Sequence, residues 1–419
     1  MEPQKSNWSE LCPELLLEIA YRLETRTNVY NFRAACKNWH DSLSKIPRNL
    51  PFLSPLFPHR FWAFDSDFFS TISSGNLHHL IAYAVCLIRP RNIPESTKPW
   101  LLTVEEFRRG KLCIQLPLSR IRASGNFPAN VQIPSSLNLS DFHISVIGNG
   151  YRLRSSGMER LNGGRLSYDY KLVLFGNPAC FEPLSIMDYT ALVWFEHGRV
   201  GWVRLSRRSD WGFLAFKGTS KFDDIVNFKG LVYAIDRMGR VYVVHYDLEW
   251  AKGVHFQQTL KMECIANDMI SSGCDSDRRK RLVVDSSGVL YVIERVIYCG
   301  EKVHFKVYML DEVNCKLDQI VGIGDGRILF VGVDCCLFAS VADFPGFRGN
   351  CILFLDDSFP LYGEGRAYSE PIINGARKEL RVTVYHFEDG DAKPISAFSG
   401  YSDILWPPSA WFYPDLSRP

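Results

Sequence analysis

Two different periods of apolar residues divide the chain. Between Trp8 and Ser44, Leu15, Ile19 and Leu23 recur at i, i+4 and i+8, and Leu16 and Ala20 widen the stripe. That spacing puts apolar side chains on one side of a helix. Pro13 suits the first helical turn, where a missing N–H costs little, and Glu14 suits the positive end of the helix dipole. Phe32, Cys36, Trp39 and Leu43 recur at i, i+4, i+7 and i+11 and predict a second helix. Thr27 or Asn28 is placed to cap its start, because a short side-chain oxygen accepts from an orphan N–H. A kink near Lys37 or Asn38 would make three helices in all. The module carries Leu11, Leu15, Leu16, Ile19, Leu23, Phe32, Cys36 and Trp39, more apolar side chains than so few residues can hide. The surplus is predicted to pack on another surface, either the rest of the chain or a second protein.

Lys45 to Arg60 holds Pro47, Pro51, Pro55 and Pro58, which forbids a continuous helix and predicts a stiff connector. Phe52, Leu53, Leu56 and Phe57 would also let it lie against the following domain. From about Phe61 the period becomes strand-like, with Val, Ile, Tyr, Phe and Leu runs broken by Gly, Asp, Asn and Ser turns. Gly230 to Asp247 reads as two strands around a turn at Arg237-Met238-Gly239, and Lys280 to Val296 as two strands around Ser286-Ser287-Gly288. Further strands are expected at Phe305 to Leu310, Ile328 to Val333, Cys351 to Leu355 and Leu380 to Phe387, the last followed by a turn at Glu388-Asp389-Gly390. Gly-led apolar strands ending in an acid start at Gly230, Gly288 and Gly349, about 60 residues apart. An all-β domain follows, with antiparallel sheets. The recurrence predicts β-propeller blades; tandem two-sheet sandwiches are the alternative.

Charge and motifs narrow the chemistry. The net charge of +2 gives no electrostatic reason to expect nucleic acid or a membrane surface as partner. Aromatic residues make up 13% of the chain, which fits half-buried pleated surfaces. The start, MEPQKSNWSE, lacks the apolar core of a signal peptide. The run Leu77 to Ile88 is interrupted by His78 and His79 and is far shorter than the ~20 residues of a membrane-spanning helix. The expected compartment is therefore the nucleus and/or cytoplasm, where the 12 cysteines would act as small buried hydrophobes. No Cys-x-x-Cys occurs, and adjacent Cys335 and Cys336 would face opposite ways on a strand, so no metal is expected. Gly-x-Ser-x-Gly, Walker and His-Glu-x-x-His motifs are absent. Gly322, Gly324 and Gly326 precede a strand rather than a helix and read as a turn, not a phosphate cradle. Asp223-Asp224 and Asp356-Asp357 are paired acids; on a strand one of each pair would cap a turn and the other meet water. Arg278-Arg279-Lys280-Arg281 reads as solvated charges in a loop, with a nuclear import signal as the functional alternative. No cofactor and no catalytic residue are expected.

The helical segment resembles an F-box. The family pattern, Leu-Pro-x-Glu-Leu-Leu and later apolar-x-x-Cys-(Lys/Arg)-x-Trp, is met by Leu11, Cys12, Pro13, Glu14, Leu15 and Leu16, then Ala35, Cys36, Lys37, Asn38 and Trp39. It departs at Cys12, where the family usually has Pro. The resemblance implies an adaptor-binding face made of Leu11, Pro13, Leu15, Leu16, Ile19, Leu23, Cys36 and Trp39. That face would bind a Skp-type adaptor, and through it a cullin and a RING subunit.

The body resembles the plant F-box family with a C-terminal KIB-type β-propeller. Matching stretches are Pro99-Trp100-Leu101-Leu102, Leu118-Ser119-Arg120, Phe222 to Ile225, the Tyr233 to Val244 hairpin, Phe347 to Asp357, and Trp406 to Trp411. Arg154 to Tyr168 matches least and reads as a surface loop. The resulting layout is an F-box at 8–46, a Pro-rich linker at 47–60 and a propeller at 61–414. The function implied is substrate recognition in a Skp–cullin–F-box ubiquitin ligase, the propeller holding an unidentified target protein. The alternatives are an adaptor-binding propeller protein without ligase activity, and a propeller enzyme. Leu16→Asp or Ile19→Asp is expected to abolish adaptor binding and leave the propeller folded.

Overall fold

A computed structural model of the chain describes residues 8–23, 25–42, 59–62, 77–91, 98–108, 111–119, 142–155, 171–176, 189–194, 198–205, 211–214, 221–247, 259–267, 270, 278–298, 302–355, 358–359 and 382–405. The Pro-rich connector up to Pro58, Leu43, Asp356-Asp357 and the tail from Trp406 lie outside them.

Three short helices come first: α1 (Pro13–Tyr21), α2 (Arg26–Ala35) and α3 (Lys37–Ser42). Pro13 takes the first helical position of α1, after an extended Cys12. The cap of α2 is Thr25, whose Oγ1 accepts from the Asn28 N–H at 3.1 Å, so the cap lies two residues before Thr27. Cys36 is extended and separates α2 from α3. This is the expected break, one residue earlier than Lys37.

Apart from short 3-10 helical turns such as Trp8–Glu10, Val341–Asp343, Ile395–Ala397 and Tyr401–Ile404, everything else described is strand, turn or loop. Strand β1 (His59–Trp62) pairs with β2 (Leu77–Pro90), which also pairs with β3 (Trp100–Arg108) and β5 (Phe142–Ser155). Strand β4 (Lys111–Gln115) lies outside β3. A meander of β6 (Lys171–Gly176), β7 (Tyr189–Trp194), β8 (Val200–Arg204) and β9 (Trp211–Phe213) joins this group through one residue pair, Tyr151 with Leu172. Two four-stranded meanders follow: β10 (Phe222–Phe228), β11 (Leu231–Asp236), β12 (Val241–Asp247) and β13 (Thr259–Ala266), then β14 (Arg278–Val284), β15 (Leu290–Tyr298), β16 (Lys302–Asp311) and β17 (Lys316–Ile320). The last sheet has the order β19-β18-β20-β21-β22, from β18 (Arg327–Val331), β19 (Cys336–Ser340), β20 (Cys351–Leu355), β21 (Val382–His386) and β22 (Asp391–Pro394). In it, β18 and β20 run parallel.

We number these units I (β1–β5), II (β6–β9), III (β10–β13), IV (β14–β17) and V (β18–β22). Neighbouring inner strands pack in a cycle: β5 beside β6, β6 on β10, β10 on β14, β14 on β19, and β19 on β5. The described sheets thus form a propeller-like ring, not tandem sandwiches.

Strand alternation explains how the ring packs. Successive side chains of a strand point to opposite faces. On β15, Leu290 and Val292 face sheet III, packing with Tyr233 and Ile235, while Tyr291 and Ile293 face sheet V, packing with Leu329 and Phe354. Strand β11 repeats the arrangement, Val232 and Ala234 meeting Val173 and Phe175 of sheet II. Both faces of the sheet are buried, so these strands read as continuous apolar runs. Leu80 to Ile88 of β2 are buried for the same reason, and the run that was too short to span a bilayer is a buried strand of sheet I, between β3 and β5. Among the described residues no helix is long and apolar enough to cross a membrane.

The expected turns occur. The N–H groups of Gly239, Gly288 and Gly390 bond to the carbonyls of Asp236, Asp285 and His386 at 3.0, 3.1 and 2.9 Å. Gly230 and Gly288 occupy the same place in sheets III and IV, the turn between first and second strands, with φ of 79° and 76°. That backbone favours glycine, which explains the recurring Gly. The third recurrence differs: Gly349 precedes β20, and the positive φ there belongs to Asn350.

Candidate functional site

In the helical module Leu16 is 0% exposed and Val29 2%, and these form its interior. Asn38 on α3 donates to the Ser9 carbonyl at 2.9 Å, and Phe32 stacks on Trp39 at 4.5 Å. Three consecutive leucines sweep about 200° around a helix, so they cannot all point inward. Leu15 and Leu17 remain 49% and 38% exposed, and Tyr30 on α2 41%. Of the residues assigned to the docking face, Leu15 and Pro13 are exposed, and Leu11, Ile19, Leu23, Cys36 and Trp39 are half-buried. Leu16 is the exception: with no open surface it supports the face from inside. Leu17 and Tyr30 fall off the i, i+4 stripe, so periodicity gave them no role. The LLL run was the available signal.

A second concentration of polar groups lies on the inner strands. One charged side chain comes from each position of the cycle: Arg152 (β5), Lys171 (β6), Asp224 (β10), Arg281 (β14) and Asp334, just before β19. All are buried. Lys171 Nζ meets Asp224 Oδ1 at 2.8 Å, Arg281 Nε lies 3.6 Å from Asp224 Oδ2, and Arg152 Nε lies 2.6 Å from Asp334 Oδ2. Arg281 also donates to the carbonyls of Gly332 and Val333, at 3.1 and 2.9 Å. Asp224 gains the backbone N–H groups of Ile225 and Leu282, at 2.9 and 2.8 Å. Opposite charges on adjoining inner strands therefore tie sheets II, III and IV together, and sheet I to sheet V.

This overturns two sequence expectations. Neither Asp223 nor Asp224 meets water; both are buried. A β-bulge between Phe222 and Asp224 breaks the simple alternation. Asp223 Oδ2 accepts from the Lys280 N–H at 3.2 Å, while its Oδ1 lacks a hydrogen-bond partner. Burial pushes the Asp223 carboxyl up to about 6, against the pull of Lys280, Arg279 and Arg237. The basic run Arg278–Arg281 is likewise no solvated loop. It is the start of β14, with Arg279, Lys280 and Arg281 buried. Lys280 Nζ donates to the Arg237 carbonyl at 2.6 Å and lies 3.7 Å from Glu294. An import receptor needs an extended, accessible segment, so the folded chain does not offer these residues as such a signal.

Burial pushes the thiols of Cys86, Cys335 and Cys351 up to about 12, which leaves them inert. Among the described residues no three His, Cys, Asp or Glu side chains are placed to hold a metal ion.

The sequence profile of the family described as KIB1-4 beta-propeller matches residues 68–386. The chain belongs to that family. The KIB1-4 match begins after the helices and takes in part of every sheet of the ring. Curated relatives extend further. The Arabidopsis thaliana F-box protein SKIP23 is 24% identical over 451 residues, covering 97% of this chain and 95% of the relative. The F-box protein At2g17036 of the same plant is 23% identical, with 97% and 94% covered. The F-box/kelch-repeat protein At1g64840 is 26% identical, with 90% and 94% covered. No solved structure matches the chain.

Proposed function

We propose that the chain is the substrate-recognition subunit of a Skp–cullin–F-box ubiquitin ligase. The helical module is its F-box, and it docks on a Skp-type adaptor through Leu15 and Ile19, flanked by Leu11, Pro13, Leu23, Cys36 and Trp39, with Leu17 and Tyr30 extending the apolar surface. The KIB1-4 ring binds the target protein and contributes no catalytic group. Cullin and RING subunit join through the adaptor, in the nucleus or cytoplasm.

The observation that carries this reading is Leu15: a large apolar side chain half open to water, one residue from a fully buried leucine. Exposed apolar surface clustered on a small module fits an interface left for a second protein. Alignment with F-box proteins over 97% of the chain takes in this module as well as the ring. The inner charges are paired with one another, which favours a scaffold over a catalytic funnel.

The test is reconstitution. Purified full-length chain mixed with a plant Skp-type adaptor, cullin and RING subunit should elute as one complex. A chain that binds adaptor yet excludes cullin would favour the non-ligase reading, and one that binds neither would overturn the assignment.

A further inference from the structure

Strand β5 is unlike the other inner strands. The runs of β6, β10 and β14 are buried almost throughout, whereas His143, Ile144, Ser145 and Val146 of β5 are all exposed. Ile144 is 42% and Val146 52% exposed, although their partners on β2, Ile88 and Cys86, are buried. Side chains on both faces of this segment therefore meet water. Its far edge is open as well. Strand β6 reaches β5 at Tyr151, and no described strand pairs with Phe142 to Gly150 on that side. Pro90, opposite Phe142, has no N–H to give, so that pair is of the non-hydrogen-bonded kind. Alternation then turns the N–H and C=O of Ile144 and Val146 away from β2.

An edge with free ladder groups is a template for another strand, and proteins usually blunt it with Lys, Pro or other charges. The outer strands follow that rule: β17 carries the Lys316–Asp318 pair, and β22 the Lys393–Asp391 pair and Pro394. Phe142 to Gly150, reading FHISVIGNG, has no Pro and no Asp, Glu, Lys or Arg. Charge comes in at its start. Arg89 is offset by Asp343 at 3.5 Å, but Arg91 is exposed and its Nε donates to the neutral Phe142 carbonyl, at 3.3 Å.

We propose that β5 receives an extended segment of the target protein as an added strand, pairing with the backbone of Ile144 and Val146. The segment carries apolar side chains at alternate positions, over Ile144 and Val146, and an acidic residue at the end beside Arg91. This rests on the reading of the ring as the target-binding body and names the element of it that makes the contact.

A library of random ten-residue peptides, panned on the full-length chain, tests this. Enriched peptides should alternate apolar and polar residues and carry an acid at one end. One such peptide, once synthesised, should slow hydrogen exchange at the Ile144 and Val146 N–H groups. Ile144→Lys puts a charge on the edge and Val146→Pro removes an outward N–H; each should weaken the peptide by about tenfold or more. Arg91→Glu should change the preferred terminal acid to a base. Should Val146→Pro fail to fold, Ile144→Lys decides. No alternating pattern among the enriched peptides, or binding that Ile144→Lys leaves intact, would overturn the proposal. So would a wild-type dimer that Ile144→Lys makes monomeric, since a second copy would then fill the edge. Adaptor binding, measured on the same preparations, separates the two readings. Its absence in wild type overturns the F-box assignment, while an adaptor-binding chain that fails the peptide test overturns this proposal alone.

Discussion

Asp224 and Asp223 are adjacent carboxylates, both buried, with opposite consequences. Asp224 sits among two cations and two backbone N–H groups. Asp224→Asn leaves Lys171 and Arg281 buried beside a neutral amide, and breaking a buried pair this way costs about 3–5 kcal/mol. Asp223 is the reverse case. Its folded carboxyl is raised from 3.8 to about 6, so the protonated form is the one folding favours. The stability it confers is fully present below its unfolded value and lost as pH rises through about 6. Denaturant midpoints should therefore show Asp224→Asn destabilised at neutral pH. The stability of Asp223→Asn should gain on wild type, by on the order of 2 kcal/mol, between pH 4 and pH 7. Equal losses for the two variants at every pH would contradict this account of the inner charges.

At the scale of elements, α1 sets a buried leucine between two open ones, which under the proposed function separates stability from docking. Leu16→Ala removes an interior side chain and should cost the module about 2–5 kcal/mol, enough to unfold so small a bundle. Leu15→Ala and Leu17→Ala remove half-exposed side chains and should change stability by under about 0.5 kcal/mol. Helical circular dichroism of the three variants checks this, and equal losses would place all three leucines inside. It also changes what Leu16→Asp can show: that variant would lose adaptor binding by unfolding the module, so Leu15→Asp is the cleaner probe. Much of this level was legible in the sequence. Pro13 marked the start of α1, and the Gly-led strands marked two equivalent turns. The cap at Thr25 was missed because Thr27 and Asn28 have the same chemistry and only backbone geometry chooses among them. The basic run at β14 was misread for a deeper reason. Whether a charged strand is solvated depends on partners such as Asp223, Asp224 and Glu294, and the first two lie more than 50 residues away in the chain. Such partners become neighbours only when the ring forms.

For the molecule as a whole, the change of period near Phe61 separated a helical module from a β-rich body, and both are present. What the period could not reveal was ring closure. Strands β5 and β19 meet across the cycle although one precedes and the other follows three complete meanders. Leu118 and Leu101 meet Val333 and Leu405 from the far side of the chain. Folding such a ring requires long-range pairing, which is slow and entropically costly. The charged inner belt and the contacts of Lys98 and Leu101 with Gly400 and Leu405 both join segments distant in sequence. Under the proposed function, that body holds the target while the helical module meets the ligase.

The central claim is that the open leucine of α1 docks on another protein. The direct measurement is calorimetric titration of a purified Skp-type adaptor into the full-length chain, its Leu15→Asp variant and a control, Leu231→Asp. Leu231 lies on the ring and is 37% exposed. The account predicts that wild type and Leu231→Asp bind alike, while Leu15→Asp weakens binding by at least about thirtyfold with the β-sheet spectrum unchanged. Undiminished binding by Leu15→Asp, or no binding by the wild-type chain, would contradict it.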